Sequence, residues 1–163
     1  GSWENTNSIF SSSEEDFEPG WWLEFGNRLF FTKRSTFESQ RFSNIFVTDG
    51  TAEGSDIFLD IFPHVNPRFF TQVGENRFYF LADTVEGTDL WVSDGTSKGT
   101  KVQPVAWPNG VSSFGSVTDI WFREEYKGSM AALGSQLIFA ANNGTTGTEL
   151  WSIETMSNST QAT

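Results

Sequence analysis

An internal repeat constrains this chain more than any other feature of its sequence. Each of three units has a short apolar run that ends at a glycine, a second apolar run, a polar loop, and a third run with one large aromatic residue. The glycines are Gly26, Gly74 and Gly134, and the aromatic residues are Phe46, Trp91 and Trp151. Short apolar runs bounded by turn residues are typical of β-strands. Matching aspartates, Asp49 and Asp94, lie 45 residues apart, and a period of ~40–50 residues with four strands is typical of a propeller blade.

The predicted fold is therefore all-β and β-propeller-like, with about three four-stranded antiparallel blades. The third unit has no visible fourth strand after Ile153, so the last blade is expected to be incomplete. Its open edge invites strand addition, either by residues 8–11 of the same chain or by a neighbouring chain. The predicted segments are an acidic, Ser-rich N-terminal arm (1–20), a repeat domain (21–155, with units at about 21–61, 68–105 and 130–155 and an insertion at 106–128) and a polar tail (156–163).

Two units place Asp-Gly after the third run. This dipeptide is a strong hairpin signal, because glycine adopts positive φ without a Cβ clash. We therefore predict positive φ at Gly50 and Gly95. The aromatic residues Phe46, Trp91 and Trp151 share one position in the repeat, and large flat side chains suit the seam between packed sheets. We predict that these three residues are structural.

The segment 89–96 (DLWVSDGT), followed by Gly99-Thr100, resembles the ELWxxDGT repeat family. A second copy at 149–151 (ELW) lacks the DGT half, and a third at 45–51 (IFVTDGT) has Phe46 in place of tryptophan. The resemblance covers about residues 21–155. It implies propeller-like repeats of secreted and cell-surface proteins, and it offers no shared catalytic residues to carry over.

The composition excludes several classes of function. Ten basic against 21 acidic residues give a net charge of −11, which argues against binding nucleic acid or an anionic membrane surface. There is no cysteine, so disulfides, thiolate metal sites and cysteine nucleophiles are excluded. No run approaches the ~20 apolar residues of a membrane span. We expect no membrane insertion.

Calcium is the one metal that the sequence favours, although no cofactor is required by it. Oxygen-bearing side chains cluster around the first glycine-rich turn, and such ligands suit a hard cation. These weak candidates are Asp49, Thr51, Glu53 and Asp56. Plain hairpin turns are the alternative interpretation, since the spacing differs from an EF-hand loop.

Other candidates concern glycans. Trp21, Trp22, Trp107 and Trp121 lie outside the repeated aromatic position, and the last two lie in the insertion, where loops carry function. They are candidate ligand-binding residues. Asn143 and Asn158 begin N-glycosylation motifs, which favour a secreted protein.

The sequence favours a non-catalytic module at the cell surface or outside the cell, which binds protein partners or assembles with itself through sheet edges. One alternative is a carbohydrate-active enzyme or glycan-binding propeller, in which Glu124 and Glu125, or Asp83 and Glu86, serve as a glycosidase carboxylate pair. Another is an accessory subunit whose acidic arm meets a basic partner in a larger assembly.

Overall fold

The computed structural model describes residues 8–9, 18–37, 40–59, 66–84, 87–105, 130–142 and 148–155. These residues contain eleven β-strands and no helix, so the prediction of an all-β chain is confirmed. Accordingly, no helix in the described ranges is long and apolar enough to cross a membrane. The strands are β1 (Glu18–Phe25), β2 (Arg28–Phe37), β3 (Gln40–Thr48), β4 (Asp56–Leu59), β5 (Arg68–Gln72), β6 (Phe78–Thr84), β7 (Gly87–Ser93), β8 (Lys101–Val102), β9 (Met130–Leu133), β10 (Gln136–Asn142) and β11 (Thr148–Glu154).

The strands form three antiparallel sheets, one for each repeat unit. Sheet A has the order β1-β2-β3-β4, sheet B has the order β5-β6-β7-β8, and sheet C has the order β11-β10-β9. Within each sheet, every strand pairs with the next one along the chain, as antiparallel neighbours can because they are joined without a crossover. Among the described residues, sheet C has no fourth strand beside β11, as expected from the truncated third unit.

Glycines at the first turn of each unit have the left-handed backbone that tight hairpins need. Between β1 and β2, Gly26 and Asn27 have φ of 58° and 59°, and the flanking residues Phe25 and Arg28 pair directly. Two positive-φ residues in a two-residue loop are the signature of a type I′ turn, whose twist matches that of the strands. Gly134 has φ of 59° at the equivalent place.

The start of sheet A differs from the sequence prediction. The predicted N-terminal arm runs to residue 20 and the predicted repeat domain starts at residue 21, but β1 already begins at Glu18. The pairing of β1 with β2 is irregular between Pro19 and Trp22. Proline is tolerated here because it lies at an edge strand next to a bulge.

Successive side chains along each strand point to opposite faces of the sheet, as in any pleated sheet. We call the front face of each sheet the one that carries the paired aromatic residues, and the back face the opposite one. The front-face pairs are Phe31 with Phe46 in sheet A, Phe80 with Trp91 in sheet B, and Phe139 with Trp151 in sheet C.

The sheets stack back to front. The back face of sheet A, with Phe25, Phe30, Ile45 and Phe58, shares one buried cluster with front-face residues of sheet B, among them Phe80. The back face of sheet B shares a second cluster with the front face of sheet C. Its fully or nearly fully buried members are Phe69, Val73, Tyr79, Leu81, Leu90, Val92, Met130, Leu137, Phe139 and Ala141. Sheet B is thus apolar on both faces, which explains its near-continuous run of buried residues from Phe78 to Ala82.

The first strands of the three sheets lie beside one another, with β1 against β5 and β5 against β9. The ring of Trp21 on β1 lies 4.7 Å from the ring of Phe69 on β5, between centroids. Phe69 has φ of 59° and lies in an irregularity of β5 between Arg68 and Thr71. Phenylalanine rarely adopts this backbone conformation, and Phe69 does so where β1 and β5 meet.

Candidate functional site

Two loops with the DGT signature follow the third strands of sheets A and B, and they are held by their own side chains. In the loop at 48–55, Asp49 Oδ1 accepts hydrogen bonds from the backbone N–H of Thr51 at 2.9 Å and from its hydroxyl at 2.7 Å. Thr51 Oγ1 in turn accepts from the Gly54 N–H at 3.0 Å. The Ser55 hydroxyl donates to the Thr51 carbonyl at 2.5 Å. The aspartate therefore organises the turn locally.

The loop at 93–100 repeats these bonds one by one. Asp94 Oδ1 accepts from the Thr96 N–H at 2.8 Å and its hydroxyl at 2.7 Å, and Thr96 Oγ1 accepts from the Gly99 N–H at 3.0 Å. The Thr100 hydroxyl donates to the Thr96 carbonyl at 2.6 Å.

A hydrogen bond between two hydroxyl groups closes the base of each loop. The threonine comes first along the chain in one loop and the serine comes first in the other. Thr48 and Ser55 lie 2.7 Å apart in the first loop, and Ser93 and Thr100 lie 2.8 Å apart in the second. Either order works because the bond needs only the hydroxyl group. Sequence reasoning missed this pair. The signal is a hydroxyl residue just before the aspartate and another six positions after it.

The second glycine of each loop is required because there is no room for a side chain at its position. A Cβ added at Gly54 would collide with the Asp49 carboxylate, and one added at Gly99 would collide with the Asp94 carboxylate. Neither glycine has positive φ. The motif therefore uses its two glycines for different physical reasons.

The loops are longer than the tight hairpin that Asp-Gly predicts. Val47 pairs with Asp56, and Val92 pairs with Lys101, so eight residues separate the paired positions in each case. The side-chain bonds of the aspartate replace the backbone bonds of a two-residue turn. The expected positive φ is present, with 93° at Gly50 and 86° at Gly95.

Gly95 also joins two sheets. Its carbonyl oxygen accepts a hydrogen bond of 2.7 Å from Arg28 Nη2 of sheet A. A Cβ at this glycine would lie 2.9 Å from Phe25 Cε1, so only a residue without a side chain fits against that ring. At Gly50 the same added Cβ would meet no atom within 4 Å. The DGT loop of sheet B is thus a docking element, and its partner groups belong to the preceding sheet.

The loop aspartates have lowered pKa values. Hydrogen bonds from the Thr51 hydroxyl and backbone N–H hold the pKa of the Asp49 carboxyl below its usual value. The Thr96 hydroxyl and N–H do the same for the pKa of Asp94. Each carboxylate is stabilised in its charged form by local donors.

This arrangement bears on the calcium candidates. Asp49 and Thr51 are brought together by hydrogen bonds, whereas the Asp56 carboxylate accepts from the adjacent Ile57 N–H at 2.7 Å. Glu53 is exposed. In the part of the chain that the structure describes, no group of three or more His, Cys, Asp or Glu side chains is placed to hold a metal ion. Calcium binding stays a prediction.

Acid should weaken the second loop. Because the folded-state pKa of Asp94 is lowered, its stabilising effect is complete above the unfolded-state pKa of ~3.9 and is lost as the pH falls through the lower folded-state value. We therefore expect the difference in unfolding free energy between the native sequence and Asp94→Ala to shrink between neutral pH and about pH 3. Urea unfolding across this range measures it. The control Ser97→Ala, at an exposed position of the same loop, should differ from the native sequence by a constant amount, and equal pH dependence in both variants would contradict the assignment.

The repeated aromatic residues occupy one register. Phe31 pairs with Phe46, Phe80 with Trp91, and Phe139 with Trp151; the first two pairs stack, with centroids 5.8 and 6.0 Å apart.

The three repeated aromatic residues are not equally buried, although they share one position in the repeat. Phe46 is buried, but Trp91 and Trp151 are each half-buried at an inter-sheet cluster. Trp151 Nε1 donates to the Ala141 carbonyl at 3.0 Å, whereas the buried Nε1 of Trp91 has no hydrogen-bond partner. Phenylalanine at this position in sheet A avoids that unpaired donor.

Trp21 and Trp22 are both exposed, with 40% and 56% of their surface accessible. Trp21 contacts Phe69. Trp22 stacks on Phe31 of the neighbouring strand, with ring centroids 5.6 Å apart. Together Trp22, Phe31 and Phe46 form a row of aromatic rings across the front face of sheet A, and Trp22 at one end of the row is exposed.

Asp83 has a structural partner. Its Oδ1 lies 2.9 Å from Arg68 Nη2 in an ion pair, and the same oxygen accepts from the Thr88 hydroxyl at 2.7 Å. Burial by itself raises the pKa of Asp83, but the hydrogen bond and charge of Arg68 outweigh it and hold the pKa below its usual value. The general acid of a glycosidase needs a raised pKa, so Asp83 in this arrangement is unsuited to act as the general acid of a carboxylate pair.

Several predicted positions lie outside the described residues. They are Trp107, Trp121, Glu86, Glu124, Glu125, Asn143, Asn158, the insertion at 106–128, the tail at 156–163 and the N-terminal arm apart from residues 8–9 and 18–20.

Comparison of the chain with protein-family models, with curated proteins and with solved structures gave no match. The resemblance to ELWxxDGT repeats therefore stays a prediction from the residues at 45–51, 89–96 and 149–151.

Proposed function

We propose that this chain is a non-catalytic structural and interaction module of ELWxxDGT-type repeats, with its sheets arranged like the blades of a propeller. One observation carries the proposal: the front face of one sheet packs on the back face of the preceding sheet twice in succession, at A with B and at B with C. In repeat proteins, each unit buries its apolar faces against its neighbours, and the array presents loops and terminal faces to partners.

The strand order supports a propeller-like arrangement. Each described sheet is a meander, and the first strands β1, β5 and β9 lie side by side. In propellers, four-stranded meanders are arranged around a central axis. Three sheets are fewer than the ~4–8 blades of a typical closed ring, so further repeats or chains would complete the assembly.

Place of action follows from the resemblance and from the two glycosylation motifs. We propose that the module works at the cell surface or outside the cell. Expression in a eukaryotic secretory system should give a glycosylated product whose mass falls on enzymatic deglycosylation. Loss of that shift in Asn143→Gln or Asn158→Gln would show which motif is used. A secreted product without a glycan at either position would remove this support.

The assembly itself is tested by the native mass of the purified chain, measured by sedimentation with calcium and with a chelator. The expected species is larger than the 18.3 kDa monomer. An effect of the chelator would support the calcium candidates, and Asp49→Ala would then abolish that effect. A chain that stays monomeric and shows hydrolysis of a glycan substrate would contradict the proposal in favour of an enzyme.

A second candidate function is glycan binding. Trp22 favours it, because it is more than half exposed and stacks on Phe31, so its free ring face can receive the apolar face of a sugar. Screening a glycan panel with the native chain and Trp22→Ala tests this candidate. Binding that is lost in Trp22→Ala would support glycan binding. If no glycan of the panel binds, the interaction module remains the proposed function. An acidic accessory subunit, the third hypothesis, would instead show binding to a basic protein that weakens as salt is added.

A further inference from the structure

We propose that residues 1–17, the part of the N-terminal arm that precedes β1, bind the front face of sheet A, where a carboxylate of the acidic run at 14–16 pairs with Lys33. This contact goes beyond the proposed function, because it assigns an intramolecular partner to a sheet face on which no described sheet lies.

The centre of that face is buried. Phe31, Lys33 and Phe46 are 4%, 8% and 7% exposed, and each makes a contact with a partner outside those described. The back face of sheet C also has no described sheet on it, and there Ile138 and Ala140 of the inner strand β10 are only half-buried. Neighbours within one sheet therefore do not account for the burial of the three side chains, and a further part of this chain covers them.

Lys33 indicates the chemistry of that cover. It pairs with Asn44 in the ladder between β2 and β3, and its Nζ lies 5.8 Å from the centre of the Phe46 ring, so the ammonium group is on the front face. Burying an unpaired charge is costly, because water no longer solvates it. The partner of Lys33 should therefore include a carboxylate.

The arm is attached beside Lys33. Glu18 and Pro19, the first two residues of β1, pair with Arg34 and Lys33 of β2. The acidic run Glu14-Glu15-Asp16 ends two residues before Glu18. A chain spans at most ~3.3–3.6 Å per residue, so this run starts from a point close enough for its carboxylates to reach the Lys33 ammonium.

The composition of the arm fits both the charged and the apolar part of the face. Residues 1–17 have four acidic side chains and no lysine or arginine, which complements the buried ammonium. They also have three aromatic side chains, Trp3, Phe10 and Phe17, which suit the aromatic row of the front face. In the described part of the arm, Ser8 has an interaction partner and Ile9 is 38% exposed.

Other segments outside the described residues are less suited to this face. The insertion at 106–128 joins β8 of sheet B to β9 of sheet C, and both sheets are stacked on the back side of sheet A. The tail at 156–163 follows sheet C and has no acidic residue. The arm, in contrast, continues directly into sheet A.

The consequence for assembly rests on the proposed function. The front face of sheet A is the first face of the stack, and the bound arm prevents another sheet from packing on it. Further repeats or chains are then expected to add at the other end, where Leu133 and Leu150 on the back face of sheet C are 67% and 76% exposed.

A zero-length carbodiimide cross-link tests the ion pair in the full chain, because this reagent joins an amine only to a carboxylate in contact with it. Peptide mass spectrometry should find Lys33 joined to a carboxylate of residues 14–16. A link from Lys33 to Glu38 or to the insertion at 106–128 would overturn the inference and assign the cover to that segment.

Deletion of residues 1–16 tests the cover itself. In the full chain, acylation of Lys33 by an amine-specific reagent should be about tenfold slower than that of the exposed Lys98 and Lys101, since a reagent reaches a buried amine only in locally open states. The deletion should remove this difference and leave the rates of Lys98 and Lys101 unchanged. Protected β6 amides in hydrogen exchange would verify that the truncated chain is folded.

A full-length variant keeps the test decisive if the truncated chain does not fold. Neutralising the acidic run with Glu14→Gln, Glu15→Gln and Asp16→Asn should also speed the acylation of Lys33. The control neutralises three exposed acids elsewhere and should leave the Lys33 rate unchanged, with Glu53→Gln, Glu75→Gln and Glu149→Gln. Equal Lys33 rates in the two triple variants would mean that the run does not pair with Lys33.

The truncated chain can also contradict the inference. If it is folded and Lys33 still reacts slowly, another segment covers the front face. If, in addition, the amides of residues 149–153 lose protection, the arm lies along the edge of β11 instead. The proposed function would stand in both cases, because the native mass of the full chain tests it separately.

Discussion

Replacing Phe78 with alanine is expected to lower the free energy of unfolding by about 3–5 kcal/mol, the usual cost of truncating a fully buried phenylalanine. The ring of Phe78 is 0% exposed and lies between two sheets. Its centroid is 5.1 Å from those of Phe25 and Phe30 on sheet A and 6.1 Å from that of Phe70 on sheet B. Alanine at this position would leave a cavity at the A–B interface, which the surrounding rigid sheets can only partly fill.

Urea unfolding followed by circular dichroism measures this loss. The comparison variant is Trp22→Ala, which removes a larger side chain from an exposed position and should cost less than about 1 kcal/mol. If Phe78→Ala also costs less than about 1 kcal/mol, sheets A and B do not pack through this ring, and the back-to-front stack is wrong.

Gly95→Val is expected to destabilise the chain far more than Gly50→Val. Both glycines have positive φ, 86° and 93°, so valine costs about 1–2 kcal/mol at either position for its backbone alone. At Gly95 the new Cβ would also lie within 3.3 Å of Phe25 and of the Arg28 guanidinium. Overpacking of this kind adds about 1–3 kcal/mol, and it should break the hydrogen bond from Arg28 that ties sheet B to sheet A.

The pair of glycine variants is measured by thermal and urea unfolding of the whole chain. Hydrogen exchange across β2 and β6 then locates the effect, since only Gly95→Val should loosen both sheets. Equal losses in the two variants would mean that Gly95 is needed for its backbone conformation alone and that the loop is not a docking element.

The sequence predicted the strand content well because the signals for it are local. Apolar runs, turn glycines and a fixed period marked three units, and the structure has three antiparallel sheets of four, four and three strands. Positive φ at the Asp-Gly glycines followed from the absence of a Cβ. The predicted start of the repeat domain at residue 21 is three residues too late, because an irregularity in the edge strand β1 accommodates Pro19 and Gly20.

The candidate site was predicted less completely, because its bonds join residues whose relation is visible only in three dimensions. Their oxygens make Asp49 and Thr51 candidate cation ligands, and in the loop the same oxygens accept hydrogen bonds from backbone N–H groups of their own turn. Gly54 and Gly99 do not have positive φ. Glycine is required at both positions because a Cβ would collide with the carboxylate of Asp49 or Asp94, which the local sequence does not indicate. Arg28 gave no signal at all, since its partner, the Gly95 carbonyl, lies 67 residues away along the chain.

By itself, the sequence determined that the chain forms strands, where its tight turns fall and which residues are equivalent, because backbone sterics and apolar periodicity act over a few neighbouring residues. The tertiary structure alone decided which face of each sheet meets which. The repeated aromatic residues mark one face of each sheet, but sheet B is apolar on both faces, and no local pattern shows which neighbouring sheet each face meets. That choice is made by shape and contact between sheets, and it leaves Leu133 and Leu150 exposed on sheet C while it buries Phe25 and Ile45 on sheet A.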